Sequence, residues 1–316
     1  KSYLTHLECT GCSLCTSADE QARTCNKCGK VLYARYDLDS VKQVLSKDHL
    51  KSRPPNMWRY FEVLPVRNPT NVVSLGEGYT PIIKVERLGG IIGSRNLQIK
   101  DEGVNPTGSF KVRGLSAAVS KAKELGQRKL TLPTAGNAGG ALAAYAARAG
   151  IEAHVFMPKD APITNQKEVQ INGATLTLVD GLIGDAGKLS QKAAKDHGLF
   201  DVSTLQEPYR AEGKKTMGYE IAEQMMWEMP DAVVYPTGGG TGIIGIWKAI
   251  DEMIQLGWID GHRPRMFAAQ AQNCAPVVKA FNEGSKYTEP WQNASTVASG
   301  LRVPSPFADY LILNVL

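Results

Sequence analysis

The sequence lacks the features that mark several large functional classes. It has no uninterrupted apolar run long enough to cross a bilayer, and its first residues, KSYLTHLECTGC, contain neither the apolar core of a signal peptide nor an Arg- and Ser-rich amphipathic stretch. It also lacks a block of Lys and Arg with interleaved aromatic residues, so we expect no nucleic-acid partner. The formal net charge of +5 is mild for 316 residues. These absences favour a cytoplasmic protein, without a membrane partner, that binds a small anionic ligand.

Two common nucleotide-binding patterns are incomplete. The phosphate-binding loop of nucleotide hydrolases needs Gly-Lys after its spacer, but Ser109 stands at the Lys position of GVNPTGSFK, and Leu182 stands where GLIGDAGKLS needs its first Gly. The dinucleotide fingerprint is matched at Gly240, Gly242 and Gly245, but no acidic residue follows at the end of a second strand. The sequence therefore does not favour a nucleotide cofactor.

Cysteine is scarce beyond the first 28 residues. Cys9 and Cys12, and then Cys25 and Cys28, form two Cys-x-x-Cys pairs, and this spacing is typical of a closed zinc site with four thiolates. Cys15 leaves a second pairing open, because Cys12 and Cys15 have the same spacing. We therefore expect residues 1–36 to form a zinc-ribbon-like head with a structural zinc ion. The isolated Cys274 is expected to be a small core residue.

Beyond the head, the sequence alternates between strand-like and helix-like segments. Residues 37–60 indicate a linker with one short helix. The apolar strand-like runs are LQIKDE (97–102), KLTLPTA (129–135), EAHVFMP (152–158), ATLTLVD (174–180), AVVYPTG (232–238) and RMFAAQA (265–271). Helical patterns occupy most of the intervening sequence, and several end at Gly. This alternation predicts a mostly parallel sheet covered on both faces, with ligands beyond the carboxyl ends of its strands.

Two of the turns that follow these strands are suited to anions. The run PTGGGTG places Gly238, Gly239, Gly240, Thr241 and Gly242 between an apolar strand and an amphipathic helix, where backbone N–H groups and the helix dipole form a phosphate cradle. The run PTAGNAGG offers the backbone donors of Thr134, Ala135, Gly136, Asn137 and Ala138 to a substrate carboxylate. Asn137 is both a good helix N-cap and a neutral donor to a phenolate oxygen.

A third turn, GVNPTGSFK, ends in Lys111. A lysine at the mouth of a sheet beside a phosphate cradle indicates a Schiff base to pyridoxal 5'-phosphate. That chemistry needs an amine that loses its proton near neutral pH, and dry surroundings from Phe110 and the following helix would lower the pKa of Lys111.

Together these motifs resemble the tryptophan-synthase-β family of pyridoxal-phosphate enzymes, which have fold type II. The resemblance covers about residues 60–316 and is carried by GEGYTP (76–81), KDEGVNPTGSFKVRG (100–114), PTAGNAGGALAAYAARAG (133–150), VFMP (155–158), PTGGGTG (236–242) and SGLRVPSPFADYLIL (299–313). Within the family, the threonine synthase group is the most similar. The resemblance implies two doubly wound, mostly parallel open sheets with the cofactor in the cleft between them.

The same resemblance implies a role for each matched residue. Lys111 would hold the cofactor and move protons, Asn137 would donate to the ring hydroxyl, and the glycine turn would bind the cofactor phosphate. In this family the residue facing the pyridine nitrogen follows the LIL segment, so no residue of this sequence is assigned to that role. Lys100, Arg113 and Lys214 are candidates for binding a substrate phosphate, by charge only.

The implied reaction is the conversion of O-phospho-L-homoserine and water to L-threonine and phosphate, by γ-elimination and then β-addition of water. One alternative is a threonine or serine dehydratase or another β-replacing enzyme of the fold, because Val112 stands where threonine synthases often have Asp. A non-catalytic zinc-ribbon binding protein is the alternative from another class.

The resemblance also implies a domain arrangement. Residues 37–110 and 206–316 would form a large cofactor-binding domain, and residues 111–205 a small mobile domain that closes over the substrate. Family members are commonly homodimers, so we expect a homodimer here.

Overall fold

The computed structural model describes all 316 residues and contains eleven strands and eleven α-helices. The strands are β1 (Leu4–Cys9), β2 (Cys15–Ser17), β3 (Leu32–Tyr36), β4 (Ile82–Lys84), β5 (Gln98–Lys100), β6 (Lys129–Pro133), β7 (Glu152–Pro158), β8 (Thr175–Val179), β9 (Phe200–Asp201), β10 (Ala232–Pro236) and β11 (Arg265–Ala269). The helices are α1 (Leu38–Val44), α2 (Lys47–Lys51), α3 (Glu86–Ile92), α4 (Lys111–Glu124), α5 (Ala138–Ala149), α6 (Ile163–Ile171), α7 (Ile183–His197), α8 (Tyr209–Gln224), α9 (Thr241–Leu256), α10 (Pro276–Asn282) and α11 (Asp309–Val315).

A four-stranded parallel sheet lies in the middle of the chain. Its strand order is β8-β7-β6-β9, and every neighbouring pair is parallel. Helices α5, α6 and α7 make the crossover connections between these strands, so the predicted alternation of strands and helices is confirmed here. Three of these helix-to-strand connections pass through a glycine of left-handed conformation, at Gly150, Gly173 and Gly198, because glycine adopts positive φ without a steric penalty.

The prediction of a second open parallel sheet is only partly correct. Strands β10 and β11 pair in parallel across helix α9, but β4 and β5 form a separate antiparallel pair, and the two pairs share no hydrogen bonds. The segment around 97–102, expected in a parallel sheet, therefore lies in an antiparallel one. Its partner β4 precedes it across only one short helix, α3, so the chain returns antiparallel to β4. Side chains on both pairs, including Ile83, Ile99, Val234 and Phe267, are exposed.

The Cys-rich head is a three-stranded antiparallel sheet, ordered β2-β1-β3, that packs onto the rest of the chain. Leu7 and Ala34 of this head are fully buried in the same apolar core as residues of α4, α5 and the four-stranded sheet. A second core forms around α8 and α9, with α1, α10 and α11 against them. The head is therefore an integral layer of the fold.

Residues 37–63 differ from the predicted linker with one helix. They form two short helices, α1 and α2, and then a 3-10 segment, Met57–Val63. Met57 and Tyr60 of that segment are fully buried, and Arg59 forms an ion pair with Glu223 at 2.7 Å. The two prolines that suggest a linker lie exposed between the end of α2 and the buried Met57, and Pro54 disfavours a helical conformation for the residue before it.

No helix of the structure combines the length and the apolar composition that a bilayer crossing requires.

Candidate active site

One cavity of about 550 Å³ opens where the three strand-to-helix turns meet. All residues predicted for the site line this cavity: Phe110, Lys111, Thr134, Ala135, Gly136, Asn137, Ala138, Gly238, Gly239, Gly240, Thr241 and Gly242. The turns come from separate parts of the chain, and the carboxyl ends of β6 and β10 bring two of them together. Residues that were not predicted for the site, including Arg210 and Tyr235, line the same cavity.

Lys111 begins helix α4 and is partly buried at the cavity wall. Its Nζ lies 4.2 Å from the centroid of the Phe110 ring. Burial, and then the nearby charge of Arg210, lower the pKa of Lys111 to about 8. The amine is thus accessible from the cavity and close to deprotonation at neutral pH, which are the two properties that a covalent link to an aldehyde needs.

The glycine turn that follows β10 presents free backbone donors to the cavity. The N–H groups of Gly238, Gly239 and Gly240 donate to no backbone or side-chain acceptor, and Thr241 begins helix α9 directly behind them. Two of the glycines are sterically required. A Cβ at Gly240, where φ is +78°, would lie 2.2 Å from Ile312, and a Cβ at Gly242 would lie 1.8 Å from the Tyr235 hydroxyl. The turn therefore fits a phosphate group held by N–H donors at a helix N-terminus.

The turn that follows β6 has fewer free donors than the sequence suggests. The N–H of Thr134 donates to the Phe156 carbonyl, and the N–H of Gly136 donates to the hydroxyl of Thr134, whereas the N–H groups of Ala135 and Asn137 have no such partner. The predicted helix cap is also absent, because the Asn137 side chain makes no capping hydrogen bond. Its carbonyl oxygen instead accepts a hydrogen bond of 2.8 Å from Asn165.

The structure separates the three cations considered for a substrate phosphate. Arg113 is fully buried and forms ion pairs with Glu102 and Glu220, and Lys100 pairs with Glu220 at 2.8 Å. Both charges are therefore neutralised within the protein, away from the cavity. Lys214 is 2 % exposed, lines the cavity and makes no ion pair.

Arg210 is a cavity residue that the sequence analysis missed. It lies four residues before Lys214 on helix α8, so the two side chains share one face of the helix. Its guanidinium donates to the Val202 carbonyl at 2.9 Å and pairs with no carboxylate within 4.0 Å. Burial, with the charges of Lys111 and Arg210, holds the pKa of Lys214 well below its usual value. The sequence did contain a signal for this residue: Arg210 and Lys214 stand four residues apart in a helix that begins after Pro208, and this spacing places both on one face.

Two further elements of the cavity were not predicted as site residues. Tyr235, the penultimate residue of β10, packs edge-to-face on Phe110 with ring centroids 6.0 Å apart. The C-terminal segment 299–305 forms another wall, and Arg302 of this segment pairs with Asp160 at 3.0 Å. That ion pair joins the C-terminal segment to the loop that follows β7.

The four cysteines of the two predicted pairs meet in the head. The Sγ atoms of Cys9, Cys12, Cys25 and Cys28 all lie within 4.8 Å of one another, and none forms a disulfide. Cys15 lies outside this group, is exposed, and faces the Ser13 carbonyl. The backbone N–H of Cys28 and further hydrogen bonds lower the pKa of Cys25 to about 6. Cys274 is buried, as expected for a core residue.

Comparison with known proteins identifies the family. The family model of pyridoxal-phosphate dependent enzymes matches residues 73–313. The threonine synthase of Methanocaldococcus jannaschii is 36% identical over 299 residues, which cover 94% of this chain and 73% of that protein. The threonine synthase of Methanosarcina acetivorans is 37% identical over 303 residues, covering 95% and 73%. These two matches extend through most of the chain.

Solved structures share the fold at lower identity. Maize serine racemase superposes with a TM-score of 0.64 at 24% identity, over 74% of this chain and 68% of that one. The processed form of threonine deaminase isoform 2 from Solanum lycopersicum gives a TM-score of 0.61 at 24% identity, over 74% and 62%.

The family model matches three-quarters of the chain, and one cavity is lined by Lys111, Asn137 and the glycine turn. The chain belongs to the pyridoxal-phosphate dependent enzymes and, within them, to the threonine synthase family.

Proposed function

We propose that the protein is a pyridoxal-phosphate-dependent threonine synthase, a lyase that converts O-phospho-L-homoserine and water to L-threonine and phosphate. One observation carries the proposal: a partly buried amine, a turn of free N–H donors and a set of unpaired cations line the same cavity. The threonine synthases that match most of the chain support the choice of substrate. A dehydratase acting on threonine or serine would not need the additional cations.

The residues of the cavity fit the cofactor. Gly238, Gly239 and Gly240 offer unused N–H donors at the start of α9 for its phosphate, and Lys111 offers the amine for its aldehyde. The NH₂ group of Asn137 would donate to the ring hydroxyl, since the carbonyl oxygen of Asn137 already accepts a hydrogen bond from Asn165. When bound, pyridoxal phosphate supplies an electron sink for negative charge that develops at the substrate's Cα.

Lys111 is assigned the proton transfers. Its amine would take the proton from the substrate's Cα and would also serve the neighbouring Cβ. Burial keeps this amine from holding its proton too firmly, because the ammonium form loses solvation at the cavity wall. The N–H groups of Ala135 and Asn137 would hold the substrate carboxylate at the start of α5.

We assign the substrate's phosphate to Lys214 and Arg210. They are buried cations of the cavity wall that form no ion pair within 4.0 Å, although Glu207 and Asp201 act on Arg210 at longer range, and they share one face of α8. A phosphate approaching them would favour the charged form of Lys214, whose pKa burial lowers, by providing a counter-charge. The same contact would stabilise negative charge on phosphate as it leaves from Cγ.

Phosphate release from O-phospho-L-homoserine by the cofactor-loaded protein tests the reaction. We expect stoichiometric threonine and phosphate, and no product from the Lys111→Ala variant. An oxoacid and ammonia formed from threonine, without phosphate release from phosphohomoserine, would instead assign the protein to the dehydratases. Absence of cofactor binding would remove the enzymatic assignment altogether.

Val112 does not argue against the synthase reaction. It stands where threonine synthases often have Asp, but its side chain is fully buried in the apolar core and is absent from the cavity wall. The departure from the family pattern therefore concerns packing behind helix α4.

For the head we propose a structural zinc ion on Cys9, Cys12, Cys25 and Cys28. Four thiolates around zinc at about 2.3 Å are compatible with the separations here, such as 3.3 Å between the Sγ atoms of Cys9 and Cys28. Metal analysis should give one zinc per chain. The Cys28→Ser variant should lose it, and Cys15→Ser should keep it.

The remaining assignments concern motion, assembly and location. We propose that residues 111–205 move as a small domain against 37–110 and 206–316, with the Arg302–Asp160 ion pair at the boundary. X-ray scattering with and without substrate tests this movement.

We propose a homodimer because family members commonly form one, and a cytoplasmic location because the sequence lacks targeting features. Sedimentation and cell fractionation test these proposals.

A further inference from the structure

Helix α6 approaches the start of α5 unusually closely at two glycines. A Cβ at Gly139 would lie 2.9 Å from Val169, and a Cβ at Gly140 would lie 2.1 Å from the carboxylate of Glu168. Both neighbours belong to α6 (Ile163–Ile171). The two small residues therefore leave room for side chains of α6 next to Asn137, which immediately precedes α5.

One of those side chains, Asn165, contacts the predicted cofactor residue directly. Its Nδ2 donates to the Asn137 Oδ1 at 2.8 Å. Burial raises the pKa of the Glu168 carboxyl, and the neighbouring Asn165 amide acts in the opposite direction. An ionised carboxylate only accepts hydrogen bonds, so a Glu168 carboxylate beside Asn165 favours the NH₂ side of the Asn165 amide. With that amide fixed, the carbonyl oxygen of Asn137 must turn toward Asn165.

This contact determines what Asn137 presents to the cavity. A primary amide has one carbonyl and one NH₂ group on opposite sides of the same plane. Since the carbonyl is occupied by Asn165, the NH₂ group of Asn137 is the part left for a ligand. A free Asn137 side chain could present either side, and its carbonyl would repel the oxygen of a ring hydroxyl that has lost its proton.

We propose that Asn165 is a positioning residue that holds the Asn137 amide with its NH₂ group toward the ring hydroxyl of the cofactor. Glu168 orients Asn165, and Gly140 leaves the space that Glu168 occupies. This inference rests on the proposed function, because it needs a pyridoxal ring beside Asn137.

Cofactor affinity and absorbance of designed variants test the inference without any assay of activity. Asn165→Asp keeps the shape but replaces the donor with an acceptor, so Asn137 should turn its NH₂ group away from the cavity. A hydrogen bond to a charged group is lost, which we expect to weaken pyridoxal-phosphate binding by about 10- to 100-fold. The pH dependence of the absorbance band of the bound cofactor should also shift. Asn165→Ala, which leaves Asn137 free to turn, should have a smaller effect in the same direction.

Gln170→Glu is the matched control. It makes the same change of amide to carboxylate on the exposed side of α6, so it should leave affinity and absorbance at their wild-type values. Wild-type affinity and an unshifted band in Asn165→Asp would overturn the inference. If wild-type protein itself binds no cofactor, the proposed function fails instead.

A second pair of variants decides the matter if Asn165→Asp does not fold. Gly140→Ala displaces only the end of the flexible Glu168 side chain, and Glu168→Gln removes its exclusive acceptor character. Both should weaken cofactor binding and shift the band in the direction of Asn165→Ala. Unchanged affinity and absorbance in both variants would contradict the proposal.

Discussion

Helix α8 carries buried cations on two faces, and the two faces are neutralised differently. Lys215 is fully buried and pairs with Glu212 at 2.7 Å and Glu252 at 2.9 Å, while Lys248 of α9 also contacts Glu212. Arg210 and Lys214 are equally buried but have no carboxylate partner. The first face is a closed ionic network, and the second lines the cavity.

The difference distinguishes charges that stabilise the fold from charges that await a ligand. Removing a charge from water is costly unless a partner lies nearby. The network between α8 and α9 provides partners from the protein itself, and the hydroxyl of Tyr36 from the head donates to the same Glu212. The cations of the cavity form no ion pair, and the carboxylates that act on Arg210, Glu207 and Asp201, do so only at longer range. An anionic cofactor and substrate would provide closer negative charge.

Breaking the closed network should give the largest effect on stability. Lys215→Met leaves the buried carboxylates of Glu212 and Glu252 short of a cation, and the loss of one partner from a buried pair costs about 3–5 kcal/mol. Urea denaturation of the cofactor-free protein measures the free energy of unfolding. The neighbouring Lys214→Met variant is the control, since it should be no less stable than wild type. Equal losses in both variants would remove the distinction between the two faces.

The pH dependence of stability should reveal the uncompensated charge of Lys111. Its pKa is about 8 in the folded protein and 10.5 ordinarily, so between these values the unfolded chain binds more protons. The free energy of unfolding of the cofactor-free protein should therefore rise between pH 8 and pH 10.5. Below pH 8 the full cost of burying the protonated Lys111 amine remains. Lys111→Met should be more stable by about 3 kcal/mol at pH 7.

That advantage of Lys111→Met should disappear as the pH approaches 10.5. Comparing the two proteins at each pH cancels the titration of every group that does not interact with Lys111; Lys214, whose pKa the charge of Lys111 lowers, is the group that titrates differently in the variant. If the difference in stability between Lys111→Met and wild type did not change with pH, the titration of the Lys111 amine would not be its cause.

Lys214→Met should affect catalysis, whereas Lys215→Met should affect stability. The loss of a charged contact to the substrate phosphate should lower kcat/KM for O-phospho-L-homoserine by about 10- to 100-fold, mainly through KM. Cofactor affinity should change much less, because the glycine turn binds the cofactor phosphate. A normal KM in this variant would place the substrate phosphate elsewhere.

The smallest effect is expected at the rim of the cavity. Arg302 and Asp160 form an ion pair in which Asp160 is 55% exposed, and such pairs contribute at most about 1 kcal/mol. Arg302→Met should therefore leave the urea midpoint nearly unchanged. A loss comparable to that of Lys215→Met would mean that exposure does not govern the value of these ion pairs.

Much of the architecture was predictable because short patterns encode it locally. The strands β6, β7, β8, β10 and β11 lie within the apolar runs identified in the sequence. The turns that end at Lys111, begin at Thr134 and follow Tyr235 are also local features, since Gly and Pro restrict the backbone wherever they occur. Their position after strands was enough to predict one shared site, although the strands that precede them belong to three separate sheets.

Charge pairing was not predictable in the same way. Lys100, Arg113 and Lys214 looked alike in the sequence, yet only Lys214 faces the cavity, because Glu220 and Glu102 neutralise the other two. The separate antiparallel pairing of β4 with β5 was missed for a related reason, since a three-residue strand carries no signal of its partner.

The sequence by itself determined the turns, the residue types at the cofactor site and the cysteine pairs, since each depends on neighbours within a few positions. The tertiary structure alone decided which buried charges are neutralised, which N–H groups stay free, and that Asn165 holds Asn137. These outcomes depend on distances between residues far apart in the chain. Electrostatic and hydrogen-bond energies change steeply with such distances, and no local pattern specifies them.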